Sequence, residues 1–144
     1  MKKNSNKLHH ALHNEAVCDH LELTVEFADW TITTAFYAAL QFVNYKVFPF
    51  EAPTINGKKT KIECLDDYYR YKNERRISKH ELLADLVEKH CDSISPDYDW
   101  LLSMSMTARY SGYLHDKMIA DKARRLMKNI KKFCFSQKLA EASL

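Results

Sequence analysis

The chain has 144 residues and a formal net charge of +3, with only two glycines and three prolines. This length fits one domain, residues 1–144, that buries a core without disulfide or metal staples. All-β folds need many tight turns built from glycine and proline, so the scarcity of both residues predicts an all-α fold. The small positive charge does not by itself indicate a nucleic-acid-binding protein.

Two long helices are predicted near the start of the chain, over residues 6–23 and 29–45. The second segment exceeds the usual length of a strand, and Asp29 is suited to be its N-cap. Its apolar residues are expected to form a buried face: Trp30, Ala35, Phe36, Ala39, Leu40 and Val43.

The next part of the chain is predicted to be less regular. Pro49, Pro53 and the Asn56-Gly57 pair predict a long loop over residues 48–61. Residues 62–76 are expected to form a partial helix or an ordered loop. The loop over residues 48–61 is long for a compact domain, and loops of such length are usually functional or mobile.

Helical signals return at residue 78. The stretch SKHE, residues 78–81, is a capping box and predicts a helix to about residue 90. Ser95 as N-cap and Pro96 at the first helical position predict another helix over residues 96–110.

A last helix is predicted from about residue 116, followed by a loose tail from about residue 136. Apolar residues at spacings of 4, 3, 4 and 3 give this helix a core-facing seam: Ile119, Ala123, Leu126, Ile130 and Phe133. Together the predicted elements make a bundle of four or five helices.

The N-terminal stretch and the cysteines bear on localisation and cofactors. The polar start MKKNSNKLHHALHNE lacks the apolar segment of a secretory signal peptide, and no run approaches the roughly 20 apolar residues of a membrane span. No two of the four cysteines have a short metal-ligand spacing. We therefore predict a cytoplasmic protein with free thiols, no cofactor and no membrane contact.

Two stretches carry a family resemblance: DWTITTAFYAALQFVN, residues 29–44, and ARYSGY, residues 108–113. Their order and separation resemble small bacterial members of the HEPN superfamily, named for higher-eukaryote and prokaryote nucleotide binding. The resemblance covers about residues 11–133. It implies an up-and-down helical bundle that is often dimeric, so a homodimer is expected.

The resemblance implies two classes of function. Some HEPN branches are metal-independent endoribonucleases with an Arg followed four to six residues later by a His. Several of these act as toxins or in antiviral defence, often beside a small nucleotidyltransferase. Other branches lack the pair and bind a nucleotide or a partner protein. Arg109 and His115 match the ribonuclease spacing, although Tyr110 stands where those branches usually place a small polar residue.

The Arg109–His115 pair has the side chains that RNA cleavage without a metal requires. A His can accept the proton of the ribose 2′-OH or protonate the leaving oxygen, and an Arg stabilises the phosphorane. Residues six apart on one helix do not share a face. The Ser111-Gly112 break therefore predicts a turn that points both side chains into one groove, completed by a second subunit. The alternative is that Arg109 pairs with an acidic residue and His115 is exposed.

Other features were open to two interpretations. Four basic residues form a stripe on the last helix: Lys117, Arg124, Lys128 and Lys131. This stripe can hold an RNA backbone or be a solvated face. Trp30, Phe36 and Tyr37 can be a base-stacking surface or core. Residues 66–76, DDYYRYKNERR, can contact RNA or a partner, or be a charged connector. His9 and His13 have a metal-chelating spacing, but no later residues complete a ligand set, so no metal site is predicted.

Overall fold

The structure is a computed structural model that describes residues 2–22, 25–111 and 117–142. These residues are mostly helical and pack as a helical bundle with one small hairpin. The helices are α1 Lys2–Leu21, α2 Ala28–Val47, α3 Leu65–Lys72, α4 Lys79–His90, α5 Ser95–Met106 and α6 Lys117–Ala142. The strands are β1 Phe50–Pro53 and β2 Lys59–Ile62. In the described part of the chain, no helix combines the length and the apolar character needed to cross a membrane.

Helix α2 lies at the centre of the bundle. It packs against α1 and α6 along its length and also contacts α4 and α5. Ile32, Phe36 and Val43 are fully buried on it, and so are Ala35 and Phe42, which point in other directions around the helix. A helix that is buried nearly all round occupies the interior of its domain. The predicted helical bundle is therefore confirmed at the level of its packing, but the described residues form six helices rather than four or five, and their small hairpin departs from the predicted all-α class.

The start of α2 differs from the prediction. Its N-cap is Phe27 rather than Asp29. Asp29 lies in the first turn, where a carboxylate interacts favourably with the helix dipole. Trp30, predicted to be buried, is 57% exposed. Trp30 precedes Tyr37 by seven residues and so lies on the same outer face of α2 as that half-buried side chain.

The predicted loop over residues 48–61 is wrong, because most of it is an ordered antiparallel hairpin. Strand β1 pairs with β2 so that Phe50 lies opposite Ile62. The Asn-Gly turn signal is correct: Gly57 has a positive φ of 76°, and its N–H donates to the carbonyl of Thr54 at 3.1 Å. The hairpin is attached to the core by Phe50, whose ring lies 5.7 Å from that of Tyr68 in α3.

The later helices follow the prediction in part. The capping box at Ser78 is confirmed, and so is the partial helix within residues 62–76. The prediction of Ser95 as an N-cap is wrong by one residue, because a 3₁₀ turn precedes α5 and Ile94 takes that position. Residues 136–142 of the predicted loose tail are instead part of α6, and the rest of that tail lies outside the described residues. That helix is held there by Phe135, whose ring lies edge-on to Phe42 at 5.7 Å.

Helices α1 and α6 are joined by a network of ion pairs. Glu15, only 7% exposed, accepts hydrogen bonds from Lys128 and Lys131, both at 2.8 Å. Asp19 accepts from Lys128 at 3.0 Å and from Arg124 at 2.9 Å. Burial alone would raise the pKa of Asp19, but these hydrogen bonds hold that pKa below its ordinary value. The network gives an otherwise polar helix, α1, a specific register against α6.

We expect Glu15→Gln to lower the free energy of unfolding by about 1–3 kcal/mol, because it leaves two partly buried ammonium groups without their shared carboxylate. The range lies below the full cost of breaking a buried pair, since Lys128 and Lys131 keep side-chain exposures of 37% and 29%. Urea denaturation at pH 7 measures the change.

Asp121→Asn is the matched control for this experiment. It removes the same charge from an exposed pair with Lys117 within α6. We expect it to cost less than about 0.5 kcal/mol. Equal losses in the two variants would contradict a structural role for Glu15.

Candidate functional site around Arg109

Arg109 lies in a π-helical turn, Thr107–Ser111, that follows α5. Such widened turns are rare and occur frequently at functional sites. The guanidinium Nη1 donates a hydrogen bond of 2.5 Å to the phenolic oxygen of Tyr37, and Cζ lies 5.2 Å from the centroid of that ring. Its Nε donates to the carbonyl of Ser105 at 3.3 Å. The orientation of Arg109 is therefore set both by α2 and by the preceding turn.

Tyr37 has a role that the sequence did not predict. The sequence offers it as a core or base-stacking residue, and in the structure it is the hydrogen-bond acceptor that holds Arg109. Its ring lies 5.5 Å from that of Phe36, which is fully buried. The contact joins residues 29–44 to residues 108–113, which are the two stretches that carry the family resemblance.

His80 also belongs to this cluster and was missed in the sequence. It lies in the first turn of α4, and its ring centroid is 5.9 Å from that of Phe36. Burial, and then the charge of Arg109, lower the pKa of His80 below its ordinary value of 6.5. The imidazole is therefore mostly neutral at pH 7. The only feature that the sequence shows near His80 is the capping box. It explains where α4 begins and gives no indication of a contact with Arg109.

Tyr98 of α5 closes the cluster from within the core. It is fully buried, and its ring centroid lies 5.9 Å from that of Phe36. Its hydroxyl has no hydrogen-bond partner among the described residues. Burial raises the pKa of Tyr98 well above its ordinary value, so the phenol stays neutral. Arg109 and His80 thus lie over a rigid aromatic base.

The other predicted catalytic residue, His115, lies outside the described residues. The structure therefore positions Arg109 and leaves the pairing of Arg109 with His115 as a prediction.

The four cations of the predicted RNA-binding stripe each contact a carboxylate. Lys117 pairs with Asp121, Arg124 with Asp19 and Glu22, Lys128 with Glu15 and Asp19, and Lys131 with Glu15. Three of them thereby link α6 to α1, and much of their charge is balanced within the chain. These contacts give the stripe a structural role, and RNA binding by it stays a prediction.

The thiols and the N-terminal histidines contribute no chemistry to this site. Burial raises the pKa of Cys18 to about 11 and that of Cys134 to about 12, so both thiols are protonated at neutral pH. His9 and His13 are exposed on α1. Within residues 2–22, 25–111 and 117–142, no group of three or more His, Cys, Asp or Glu side chains is arranged to hold a metal ion.

A comparison of the chain with models of protein families, with curated proteins and with solved structures finds no significant match. The HEPN resemblance therefore depends on residues 29–44 and 108–113, and these two stretches meet in the contact between Tyr37 and Arg109.

Proposed function

We propose that this chain is a HEPN-type, RNA-associated protein with an up-and-down bundle, and that it cleaves RNA without a metal ion through Arg109 and His115. The observation that carries the proposal is the hydrogen bond between Arg109 and Tyr37. A guanidinium held in advance stabilises developing phosphorane charge without reorganising during the reaction. The proposed setting is a cytoplasmic homodimer acting in toxin–antitoxin or antiviral defence, with a nucleotidyltransferase as antitoxin partner.

The proposed reaction is attack of a ribose 2′-OH on the adjacent phosphorus. His115 accepts the proton of the hydroxyl, the O2′–P bond forms, and the P–O5′ bond breaks with protonation of the leaving oxygen by a second imidazolium. In a homodimer the partner copy supplies that imidazolium from its own His115. Arg109 stabilises the charge of the phosphorane with its planar fork of donors.

His80 offers a further imidazole for the same chemistry. It is neutral at pH 7 because burial and Arg109 lower its pKa, so it is in the protonation state that accepts a proton. Its partial burial against Phe36 fixes the ring in one place.

A second candidate function is a non-catalytic module that binds a nucleotide or a partner protein. The contacts of Arg109 with Tyr37, Ser105 and the sulfur of Met106 favour it, since they account for the side chain as a structural link between α2 and α5. Such a module cleaves no RNA, and a ligand that binds its folded state raises its melting temperature.

We expect the wild-type protein to cleave a mixed pool of tRNA and mRNA in EDTA, and Arg109→Ala and His115→Ala each to reduce the rate at least about 100-fold. Gel analysis of RNA fragments measures the rate, and circular dichroism checks that each variant is folded. Arg125→Ala, which removes an exposed arginine of α6, is the control and should cleave at the wild-type rate. Wild-type cleavage that survives both substitutions would refute the assignment.

Tyr37→Phe tests the positioning role of the phenol, because it keeps the ring and removes the acceptor of the Arg109 hydrogen bond. We expect kcat to fall about tenfold with little change in KM, in keeping with an interaction worth about 1.4 kcal/mol in the transition state. An unchanged kcat would show that Arg109 does not depend on Tyr37.

The lowered pKa of His80 predicts how stability depends on pH. Between its folded pKa and the unfolded value of about 6.5 the unfolded chain binds more protons, so stability rises with pH. The contribution is fully present above about pH 6.5 and is lost as the pH falls through the folded pKa. His80→Phe keeps a ring against Phe36 and should reduce the dependence of urea midpoints on pH between pH 5 and 7, and the remainder includes His90, whose pKa burial also lowers.

His13→Gln, at an exposed position on α1, is the control and should keep the wild-type dependence. A full wild-type slope in His80→Phe would contradict the prediction.

A further inference from the structure

A wide cleft lies between the tip of the hairpin and the end of α3. Its volume is about 670 Å³, and it is lined by Pro53, Thr54, Ile55, Asn56, Tyr71 and Lys72. None of these residues belongs to the Arg109 cluster. The cleft is widely open to solvent, so it suits an extended ligand better than an enclosed small molecule.

The walls of this cleft are fixed. The hydroxyl of Tyr71 donates to the carbonyl of Pro53 at 2.6 Å, which links α3 to the end of β1. The Tyr71 ring is stacked on Tyr68 with centroids 6.1 Å apart. Within the tip, the N–H of Thr54 donates to the carbonyl of Lys58 at 2.7 Å. An isolated two-stranded hairpin is marginally stable, so these contacts hold the tip in one conformation.

Exposed cations in and beside the segments that form the cleft have no carboxylate partner among the described residues. Lys59 lies opposite Pro53 in the strand register, and Lys58 precedes it. Lys72 lies in the cleft itself, and Arg75 and Arg76 follow the end of α3. None of these five side chains forms an ion pair within the residues that the structure describes. They differ in this respect from the cations of α6 that link it to α1.

The acidic side chains of the same region leave this charge largely unbalanced. Three of them already pair with other cations: Glu63 with Lys61, Asp67 with Arg70, and Asp66 with Lys79. Glu74 accepts a hydrogen bond from the backbone N–H of Arg76, and Glu51 is exposed on β1. The cations around the cleft therefore outnumber the remaining carboxylates, and the surface favours a polyanion.

Two exposed apolar side chains narrow the class of polyanion. Ile55 at the turn is completely exposed, and Tyr71 is 36% exposed at the wall of the cleft. A solvated connector accounts for lysines and arginines, but it does not account for an isoleucine at the tip of an ordered turn. Aromatic rings stack with nucleobases, and aliphatic side chains insert between them.

We propose that this cleft binds single-stranded RNA. The phosphates contact Lys58, Lys59 and Lys72, one base stacks on Tyr71, and Ile55 packs against its neighbour. A single strand fits because its base faces are accessible, whereas a duplex covers them by stacking. The inference rests on the proposed function in that the bound strand is the RNA cleaved at Arg109, but binding is measured without cleavage.

The test is fluorescence anisotropy of labelled 12-nucleotide RNA with the His115→Ala protein, which prevents turnover. We expect Lys58→Ala/Lys59→Ala to weaken binding at least about tenfold at low salt and to reduce the slope of log K against log salt by about 1.4, as expected for two lost contacts on a single strand. Tyr71→Ala should weaken binding about tenfold, and Tyr71→Phe, which keeps the ring but loses the hydrogen bond to Pro53, should lose clearly less affinity than Tyr71→Ala.

Arg125→Ala/Lys132→Ala is the matched control, since it removes the same charge from exposed positions of α6. It should leave the affinity within about twofold, because neither side chain lines the cleft. Equal losses in both double variants would overturn the proposal in favour of unspecific attraction by net charge. Polyglutamate that competes as well as RNA at equal charge, together with an unaffected Tyr71→Ala, would identify an acidic protein partner instead and would overturn it.

The outcomes separate this inference from the proposed ribonuclease. RNA that binds at the hairpin but is not cut by the wild-type protein would support the cleft and refute catalysis at Arg109. Cleavage that depends on Arg109 with no effect of the hairpin variants on binding would do the reverse.

Discussion

Burial of α2 on nearly all sides is the constraint on which the rest of the structure depends. Phe36, Ala38 and Asn44 are buried on different sides of this helix, so it needs neighbours nearly all round, and α1, α5 and α6 supply them. Helix α1 packs on α2 through the buried Ala11 and Cys18, and carboxylates on its polar side face α6. Glu15, 7% exposed and shared by Lys128 and Lys131, is the centre of that contact. The charges of α6 are thus used to complete the core around α2, and this affects where an anionic ligand can bind.

The distribution of partnered and unpartnered cations follows from this packing. A stripe of basic residues on α6 is what a nucleic-acid surface looks like in sequence, and spacing alone does not show that α1 carries the matching carboxylates. The lysines of the hairpin are adjacent in sequence and project from a two-stranded element with few neighbours. Because no carboxylate among the described residues pairs with Lys58 or Lys59, their charge remains available. The same pattern of lysines therefore has different consequences at the two places, and only the tertiary contacts distinguish them.

Features encoded by adjacent residues were predictable, and features that depend on distant residues were not. The capping box at Ser78 and the Asn56-Gly57 turn are local, and the structure contains both. The pairing of β1 with β2 escaped prediction because a four-residue strand carries little pattern of its own, and the packing of Phe50 on Tyr68 stabilises it.

The candidate site likewise depends on residues that are distant in sequence. The sequence identified Arg109, whereas Tyr37 and His80 come from α2 and α4 and join it only through folding. The predicted burial of Trp30 is wrong for a geometric reason, because an apolar residue in the first turn of a central helix can still lie on its outer face.

Helix α4 connects the two regions that carry the functional proposals. Lys79 at its start forms a 2.7 Å ion pair with Asp66 of α3, and its ammonium lies 5.7 Å from the centroid of the Tyr69 ring. The next residue, His80, packs against Phe36 beside Arg109. Helix α3, which lines the hairpin cleft, and α4, which carries His80, are therefore in contact. A strand held along α3 would lie on an element that packs against the helix of His80, and bringing an RNA backbone close to the reacting groups is what in-line attack requires.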